Sequence, residues 1–319
     1  MTTPAKKSLV QIGGRSLAVS NLEKILWPRD GYTKGDLIAY YRAVAPQILP
    51  YLRGRPLTVE RFPNGIDGQT WWEKEKPKGL PDWVRTTRVS SGSNARGHVE
   101  FLVCDDEATL AYVANLAAVV LHVWYSHLPD LDVPDFILID LDPFDCTLAT
   151  LAKVALRFRE QLEAIGLRGY VKTTGGTGLH VVIPLEPVYG YDAAKIFAEL
   201  LARRVAGLEP ERTTLERTIA KRRPGTVYLD YVQVGMGKTY VAPYSVRGRD
   251  GAPVSMPLGW GEVESMTRKR ARETSGEMLR WTIADVPALV AKHGDPWAVE
   301  GLTPQRLEGA LQTARSLWE

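Results

Sequence analysis

The sequence has few cysteines and no long apolar segment. Cys104 and Cys146 are the only cysteines among 319 residues, which excludes a disulfide framework and a cysteine-based zinc site. No apolar run approaches the roughly 18 residues of a transmembrane helix, and residues 1–7 lack the apolar stretch of a secretory signal. The net charge of only +3 does not by itself indicate a nucleic-acid partner. We expect a protein of the reducing cytoplasm with no membrane partner.

The length of 319 residues exceeds that of a usual single domain. We expect one bilobal domain with three parts. These are an N-terminal part over about residues 15–105, a catalytic core over about 106–260 and a C-terminal helical segment over about 261–319.

Apolar periodicity and turn residues predict an alternation of strands and helices. The predicted helices cover residues 34–49, with Thr33 as N-cap, and residues 107–126, 148–165 and 191–205. The predicted strands cover residues 55–62, 99–103, 135–141, 169–173, 180–184 and 226–232. Helix crossovers mixed with hairpin-like turns favour an α+β (mixed α/β) fold with mixed sheets flanked by helices, and not a doubly wound parallel sheet.

An acidic pair ends the most apolar of these strands. Residues 136–143 read Phe-Ile-Leu-Ile-Asp-Leu-Asp-Pro, so Asp140 and Asp142 project from one face of the strand while Ile139 and Leu141 point to the other. Two adjacent carboxylates repel each other unless a cation lies between them. The pair therefore predicts a site for a hard divalent ion such as Mg²⁺ or Mn²⁺; a solvated acidic strand end is the alternative.

A third carboxylate, Asp230, ends the β-rich run of residues 226–230. If its strand lies beside the first, three carboxylates meet, which is enough to hold two divalent ions for phosphoryl chemistry.

A glycine-rich turn lies between these strands. Residues 172–180 read Lys-Thr-Thr-Gly-Gly-Thr-Gly-Leu-His. Such a turn can direct backbone N–H groups at an anion, with hydroxyls and His180 as further donors. It is not a Walker A loop, because no Gly-Lys-Ser/Thr follows. His122, near the end of the predicted helix 107–126, is by itself more typical of a buried core residue.

These motifs, in this order, resemble the polymerase domain of bacterial ligase D, the end-joining branch of the archaeo-eukaryotic primase superfamily. The resemblance extends over about residues 17–257. It rests on residues 21–24, 31–34, 61–65, 71–74, His122 with Trp124, 140–143, the glycine turn to His180, 229–231 and 242–247.

The resemblance implies a primase-polymerase with a primase-type catalytic core, which adds nucleotides, often ribonucleotides, to a DNA 3′ end with two Mn²⁺ or Mg²⁺ ions. It implies that the substrates are gapped or broken 5′-phosphorylated DNA and an NTP or dNTP. It also implies Ku and a DNA ligase as partners, and action at DNA breaks in the nucleoid. The implied metal ligands and catalytic residues are Asp140, Asp142 and Asp230. The implied nucleotide-binding residues are His122, Thr174, Gly175, Thr177, His180, Arg223, Gln233 and Arg247. The implied DNA-binding residues are Asn21, Lys24 and Lys34 for the 5′-phosphate, Trp71 and Trp72 for base stacking, and Arg61.

Three positions depart from the family pattern. Thr174 stands where relatives often carry a serine, and it keeps the hydroxyl. Thr177 stands where relatives often carry a lysine, which leaves more of the phosphate binding to Arg223 and Arg247. Glu60 stands where some relatives carry a basic residue.

Two other classes of protein remain open from the residues alone. A phosphatase of the haloacid-dehalogenase type also ends an apolar strand in Asp-x-Asp, but it usually has Thr or Val where Phe144 stands here. A non-catalytic DNA-end binding module would use Lys24 and Lys34 alone.

Overall fold

The computed structural model describes residues 7–92, 94, 96–268 and 281–318. Helices and several β-sheets are combined in these residues, which confirms the α+β prediction. They divide into two compact units. The first holds residues 7–124, 241–255 and 281–294, and the second holds residues 125–240, 256–268 and 295–318. Residues 269–280 and 319 of the predicted C-terminal helical segment lie outside the described residues. No helix in the described part of the chain is both long and apolar enough to cross a membrane.

The first unit contains two small hairpins and one larger antiparallel sheet. The hairpins pair β1 (Lys7–Ile12) with β2 (Arg15–Ser20) and β3 (Ile25–Trp27) with β4 (Tyr32–Thr33). The larger sheet has the order β9-β5-β8-β7, with β6 beside β5. Its strands are β5 (Pro56–Arg61), β6 (Trp71–Glu73), β7 (Thr86–Ser90), β8 (His98–Val103) and β9 (Ala118–Trp124).

The helices of the first unit are α1 (Lys34–Ala43), α2 (Ala45–Leu52), α3 (Glu107–Asn115) and α7 (Val286–His293). Thr33 caps α1 as predicted, in a capping box with Asp36. The predicted single helix over 34–49 is two helices, because Pro46 opens α2 and cannot continue the hydrogen bonding of α1. The break falls at Val44.

The predicted helix over residues 107–126 is wrong in its second half. Helix α3 ends at Asn115, and the chain turns at Ala117, whose φ of 55° is left-handed. The residues that follow form β9, in which every side chain is buried. Three valines in seven residues favour a strand, and a strand buried on both faces has the same continuous apolar pattern as a buried helix. His122 and Trp124 therefore lie on a buried strand and not on a helix.

The second unit is built on one six-stranded mixed sheet with the order β13-β14-β10-β12-β11-β16. Strands β13 and β14 are parallel, whereas the other neighbours are antiparallel. The strands are β10 (Phe136–Phe144), β11 (Tyr170–Thr173), β12 (Leu179–Pro184), β13 (Thr213–Thr214), β14 (Thr226–Asp230) and β16 (Pro257–Leu258). At β15 (Thr239–Val241) the chain returns to the first unit.

Two long helices, α4 (Leu148–Ala164) and α5 (Tyr191–Leu208), pack against this sheet and against each other. They lie within about three residues of their predicted ends, because their apolar residues recur with helical spacing. Shorter helices follow: α6 (Trp260–Met266), α8 (Pro296–Val299) and α9 (Glu308–Trp318). The predicted strands of this unit are all present, so the acidic pair and the glycine turn lie in the predicted elements.

Candidate active site

Three aspartates lie at facing positions of two neighbouring strands in the second unit. Asp140 and Asp142 belong to β10, and Asp230 is the last residue of β14. The strands are antiparallel, and Asp140 lies directly opposite Asp230. All three share one face of the sheet, because side chains alternate along a strand and opposite residues face the same way. The structure thus brings together the three predicted metal ligands, while the ligand role itself stays a prediction.

A row of polar side chains crosses four strands through Asp140. His180 on β12 pairs with Asp140, and Lys172 on β11 pairs with His180. His180 Nε2 lies 3.4 Å from Asp140 Oδ1. Lys172 is fully buried, and its Nζ lies 5.9 Å from the ring centroid of Tyr240. The row therefore sets the predicted His180 beside the carboxylates and adds a buried lysine that is not among the predicted site residues.

Burial and charge repulsion perturb the carboxyl group of Asp142. Its pKa is raised to about 7, first by burial and then by the negative charges of Asp140 and Asp230, while the positive charge of Arg222 opposes the shift. A hard divalent cation would offset this repulsion, and carboxylate oxygens are the ligands that Mg²⁺ and Mn²⁺ prefer. The donor set therefore fits the predicted ions.

Arg222, which is not among the predicted site residues, lies near enough to Asp142 for its positive charge to lower the pKa of that carboxyl group. Its guanidinium carbon lies 3.9 Å from the ring centroid of Tyr228, and Tyr228 pairs with Asp142 between β14 and β10. The predicted nucleotide ligand Arg223 instead lies with its Nη1 3.5 Å from Glu211 Oε2. The two arginines are adjacent in the sequence, and no sequence signal separates them.

The carboxylate of Asp230 is occupied by groups of its own loop. Its Oδ2 accepts a 2.7 Å hydrogen bond from the Gln233 amide, and its Oδ1 accepts a 3.1 Å hydrogen bond from the Val232 N–H. Among the described residues, no three His, Cys, Asp or Glu side chains are already arranged to hold a metal ion. Gln233, predicted to bind nucleotide, therefore contacts a predicted metal ligand here.

The glycine turn is organised by the hydroxyl of Thr174. Thr174 Oγ1 accepts hydrogen bonds of 3.1 Å and 3.2 Å from the N–H groups of Gly176 and Gly178. These two N–H groups thus point into the turn. The prediction was that successive N–H groups of the turn point outward, toward an anion. The N–H groups of Gly175 and Thr177 donate no hydrogen bond to another described residue, and Thr177 is exposed. They are the backbone donors left for an anion.

Gly178 also fixes the turn against the acidic strand. A Cβ at this position would lie 2.5 Å from the carbonyl oxygen of Leu141, between Asp140 and Asp142. Only glycine permits this approach, so the glycine turn and the acidic pair are held in contact by backbone packing.

In the first unit, His122 and Trp72 are neighbours. His122 lies on β9 and is 8% exposed, whereas Trp72 lies on β6 and is 53% exposed. Their ring centroids are 4.5 Å apart. Trp72 thus presents an open aromatic face, as expected of a residue that stacks on a base. Arg247, a predicted nucleotide ligand, is also in this unit, in residues 241–255.

Arg61 is engaged within the first unit. Its Nη1 lies 2.8 Å from Glu73 Oε2, its Nε donates to the Leu116 carbonyl at 2.9 Å, and its guanidinium carbon lies 5.7 Å from the centroid of Trp71. These contacts give Arg61 a bracing role for β5 and β6; its predicted contact with DNA stays a prediction. Trp71, 40% exposed, is partly covered by Arg61.

The three residues predicted to bind a 5′-phosphate lie together in the first unit. The Lys24 N–H donates to the Asn21 carbonyl at 3.1 Å, and the Lys34 N–H donates to the Lys24 carbonyl at 2.8 Å. The pKa of Lys34 is lowered to about 8, first by burial and then by the positive charge of Lys24, while Glu23 opposes the shift. Lys24 and Lys34 are therefore close enough for their charges to interact.

The chain is similar to several known proteins and domains. The family model of the LigD primase-polymerase domain matches residues 33–297. The polymerase domain of Mycobacterium tuberculosis ligase D in complex with DNA has a TM-score of 0.80 and 30% sequence identity to this chain, over 91% of this chain and 99% of that domain.

Longer curated proteins match as well. The bifunctional non-homologous end joining protein LigD of Bacillus subtilis is 36% identical over 253 residues, which is 78% of this chain and 40% of that protein. The multifunctional non-homologous end joining protein LigD of Mycolicibacterium smegmatis is 30% identical over 280 residues, which is 84% of this chain and 36% of that protein. The matched regions thus cover less than half the length of these relatives.

Proposed function

The chain belongs to the LigD primase-polymerase domain family, and on that basis we propose that it extends a DNA 3′ end at a gap or break by metal-dependent nucleotidyl transfer. The substrate is an NTP or dNTP, with ribonucleotides preferred, and the process is non-homologous end joining. The observation that carries the proposal is the direct pairing of Asp140 with Asp230, which gathers three carboxylates on one face of the sheet.

The three aspartates hold the ions in this proposal. When bound, two Mn²⁺ or Mg²⁺ ions lower the pKa of the attacking 3′-oxygen and stabilise the negative charge of the departing pyrophosphate. Asp142 must lose its proton before it can act as a ligand, because its pKa is about 7. In this proposal Asp230 exchanges the Gln233 amide for an ion, which leaves that amide available to the nucleotide.

Other side chains of the second unit bind and orient the triphosphate in this proposal. The N–H groups of Gly175 and Thr177 and the imidazole of His180 are hydrogen-bond donors beside the carboxylates. Arg222 adds a planar cation next to Asp142, where phosphate charge accumulates. Together these groups align the α-phosphorus with the 3′-oxygen and neutralise the leaving group.

We further propose that the DNA substrate is gapped or broken and carries a 5′-phosphate, which Asn21, Lys24 and Lys34 recognise. The exposed face of Trp72 stacks on a base of the template or of the incoming nucleotide. The relatives are named as end-joining proteins, and one related domain is described in complex with DNA. The chain is expected to act with a DNA ligase and with the end-binding protein Ku.

A phosphatase of the haloacid-dehalogenase type and a non-catalytic DNA-end module gain no support from the relatives. One assay distinguishes the three functions. A gapped, 5′-phosphorylated duplex is incubated with the protein, a labelled nucleotide and Mn²⁺. Extension of the 3′ end supports the proposal. Release of inorganic phosphate from a monoester without extension, or tight DNA binding with neither reaction, would contradict it.

A further inference from the structure

We propose that Asn115 is a positioning residue of the 5′-phosphate pocket, which holds the ammonium of Lys34 in place and keeps it charged. The inference deepens the proposed function and rests on it, because it assumes that Lys34 recognises the phosphate. It adds a residue 81 positions away from Lys34 in the sequence.

Lys34 is held chiefly by one residue. Its side chain is only 5% exposed. Its Nζ donates to Asn115 Oδ1 at 3.0 Å and to the Asn115 carbonyl at 3.1 Å. A third acceptor, Ser20 Oγ, lies at 3.5 Å, beyond the usual range of a good hydrogen bond.

Asn115 also holds the strand that leads to Asn21. Its Oδ1 accepts a 3.2 Å hydrogen bond from the Ser20 N–H, and its Nδ2 donates to the Ala18 carbonyl at 3.2 Å. Ser20 ends β2 and directly precedes Asn21. As the last residue of α3, Asn115 therefore ties the two ends of the predicted pocket, Lys34 and Asn21, to one helix terminus.

The ammonium of Lys34 has one N–H donor that a phosphate oxygen can take. An ammonium has three N–H donors. The two short hydrogen bonds to Asn115 fix its direction, and the third donor meets only the distant Ser20 hydroxyl. A phosphate oxygen is a much stronger acceptor than that hydroxyl, so it replaces Ser20 as the third partner while both bonds to Asn115 stay.

Asn115 also sustains the charge that the phosphate requires. Burial and the nearby positive charge of Lys24 lower the pKa of Lys34 to about 8, and Glu23 opposes this. Hydrogen bonds to the charged form of a group favour that form. Without the Asn115 amide oxygen the ammonium loses an acceptor, so the pKa of Lys34 falls further and less of the side chain is charged at neutral pH.

The test measures the preference for phosphorylated ends. The dissociation constants of gapped duplexes with a 5′-hydroxyl and with a 5′-phosphate are determined by fluorescence anisotropy from pH 6.5 to 9, and their ratio is the selectivity. Wild type is compared with Lys34→Ala, Asn115→Ala and Asn115→Asp. Asn94→Ala, in the turn between β7 and β8, is the matched control.

We expect Lys34→Ala and Asn115→Ala each to reduce the selectivity by about tenfold. Their affinity for the 5′-hydroxyl duplex should stay within about twofold of wild type. Asn94→Ala should keep the wild-type selectivity. In Asn115→Ala the remaining selectivity is lost at a lower pH than in wild type, which a purely structural loss would not produce. Asn115→Asp keeps the shape of the side chain and reduces selectivity because its carboxylate neutralises Lys34.

Wild-type selectivity in a folded Asn115→Ala variant would overturn the inference. If Asn115→Ala does not melt cooperatively, Asn115→Asp takes its place, and wild-type selectivity in that variant would overturn the inference. An unshifted pH profile in a folded Asn115→Ala would reduce Asn115 to a structural residue and also overturn it. Unchanged selectivity in Lys34→Ala would instead contradict the 5′-phosphate pocket of the proposed function.

Discussion

Asp140 and Asp230 occupy directly opposite positions of two antiparallel strands, β10 and β14. Neither position is near the other in the sequence, and the register between the strands makes them neighbours. A shift of this register by one residue would turn Asp230 to the opposite face. The strand pairing is therefore the feature on which the proposed metal site depends.

The raised pKa of Asp142 predicts a stability that depends on pH. Its folded-state pKa of about 7 exceeds the ordinary value of 3.8, so folding favours the protonated form. The destabilising effect is absent well below pH 4 and grows as the pH rises to about 7. Asp142→Asn removes it, and we expect this variant, free of ions, to be more stable at pH 8 by about 1 kcal/mol after allowance for solvent screening.

Thermal melts in EDTA at pH 5.5 and pH 8 measure this effect. Wild type should lose more stability than Asp142→Asn between the two pH values, and Mn²⁺ in place of EDTA should restore the melting temperature of wild type alone. Parallel melting curves for both proteins would contradict the assigned cause.

The hydrogen bond between Gln233 and Asp230 predicts opposite effects of one substitution. Gln233→Ala frees Asp230 Oδ2 from a 2.7 Å hydrogen bond, so Mn²⁺ should bind the nucleotide-free protein a few-fold more tightly, in keeping with the net strength of one hydrogen bond. Nucleotide should bind more weakly, because the amide is lost. Electron paramagnetic resonance of free Mn²⁺ and nucleotide titrations measure the two affinities, and weaker Mn²⁺ binding would oppose this account.

Gly178→Ala should displace the acidic strand β10 through a clash with its backbone. The new Cβ would meet the Leu141 carbonyl oxygen at 2.5 Å, so the glycine turn or β10 must shift. We expect a loss of about 2 kcal/mol in the free energy of unfolding, as in other overpacked sites, and a larger loss of primer extension than of DNA binding. Gly207→Ala, in α5 with open space around the new Cβ, is the control and should be neutral or stabilising.

Much of this architecture is predictable from residues near one another in the sequence. The acidic strand, the glycine turn and the capping box at Thr33 each follow from local patterns. The prediction fails at residues 107–126, where the chain changes from α3 to β9 within an unbroken apolar run. Periodicity cannot mark that change, since a helix and a strand that are buried on all sides look alike.

The remaining features depend on contacts between distant residues. Arg222 stacks on Tyr228, and Tyr228 lies opposite Asp142 where β14 pairs with β10. Lys172 joins the site through two successive strand pairings, and Asn115 meets Lys34 through the packing of α3 beside α1. Arg222 and Asn115 belong to no predicted motif, and Lys172 begins the glycine-turn motif without any signal that distinguishes it as a site residue.

The exposed ring of Trp72 predicts a defect in substrate binding without a defect in folding. Because the side chain is 53% exposed, Trp72→Ala should change the melting temperature little. It should weaken binding of single-stranded template or nucleotide by about 1–3 kcal/mol, the usual value of one base–aromatic contact. Trp72→Phe should retain most of the affinity. Equal losses in the Ala and Phe variants would show that the ring does not stack.

The most direct test of the central claim is an anomalous-scattering map of crystals grown with Mn²⁺ and a nucleotide that cannot be hydrolysed. We expect manganese peaks about 2 Å from carboxylate oxygens of Asp140, Asp142 and Asp230, with Asp230 released from the Gln233 amide. Manganese bound elsewhere, or Asp230 still held by Gln233 beside an occupied Asp140–Asp142 pair, would contradict it.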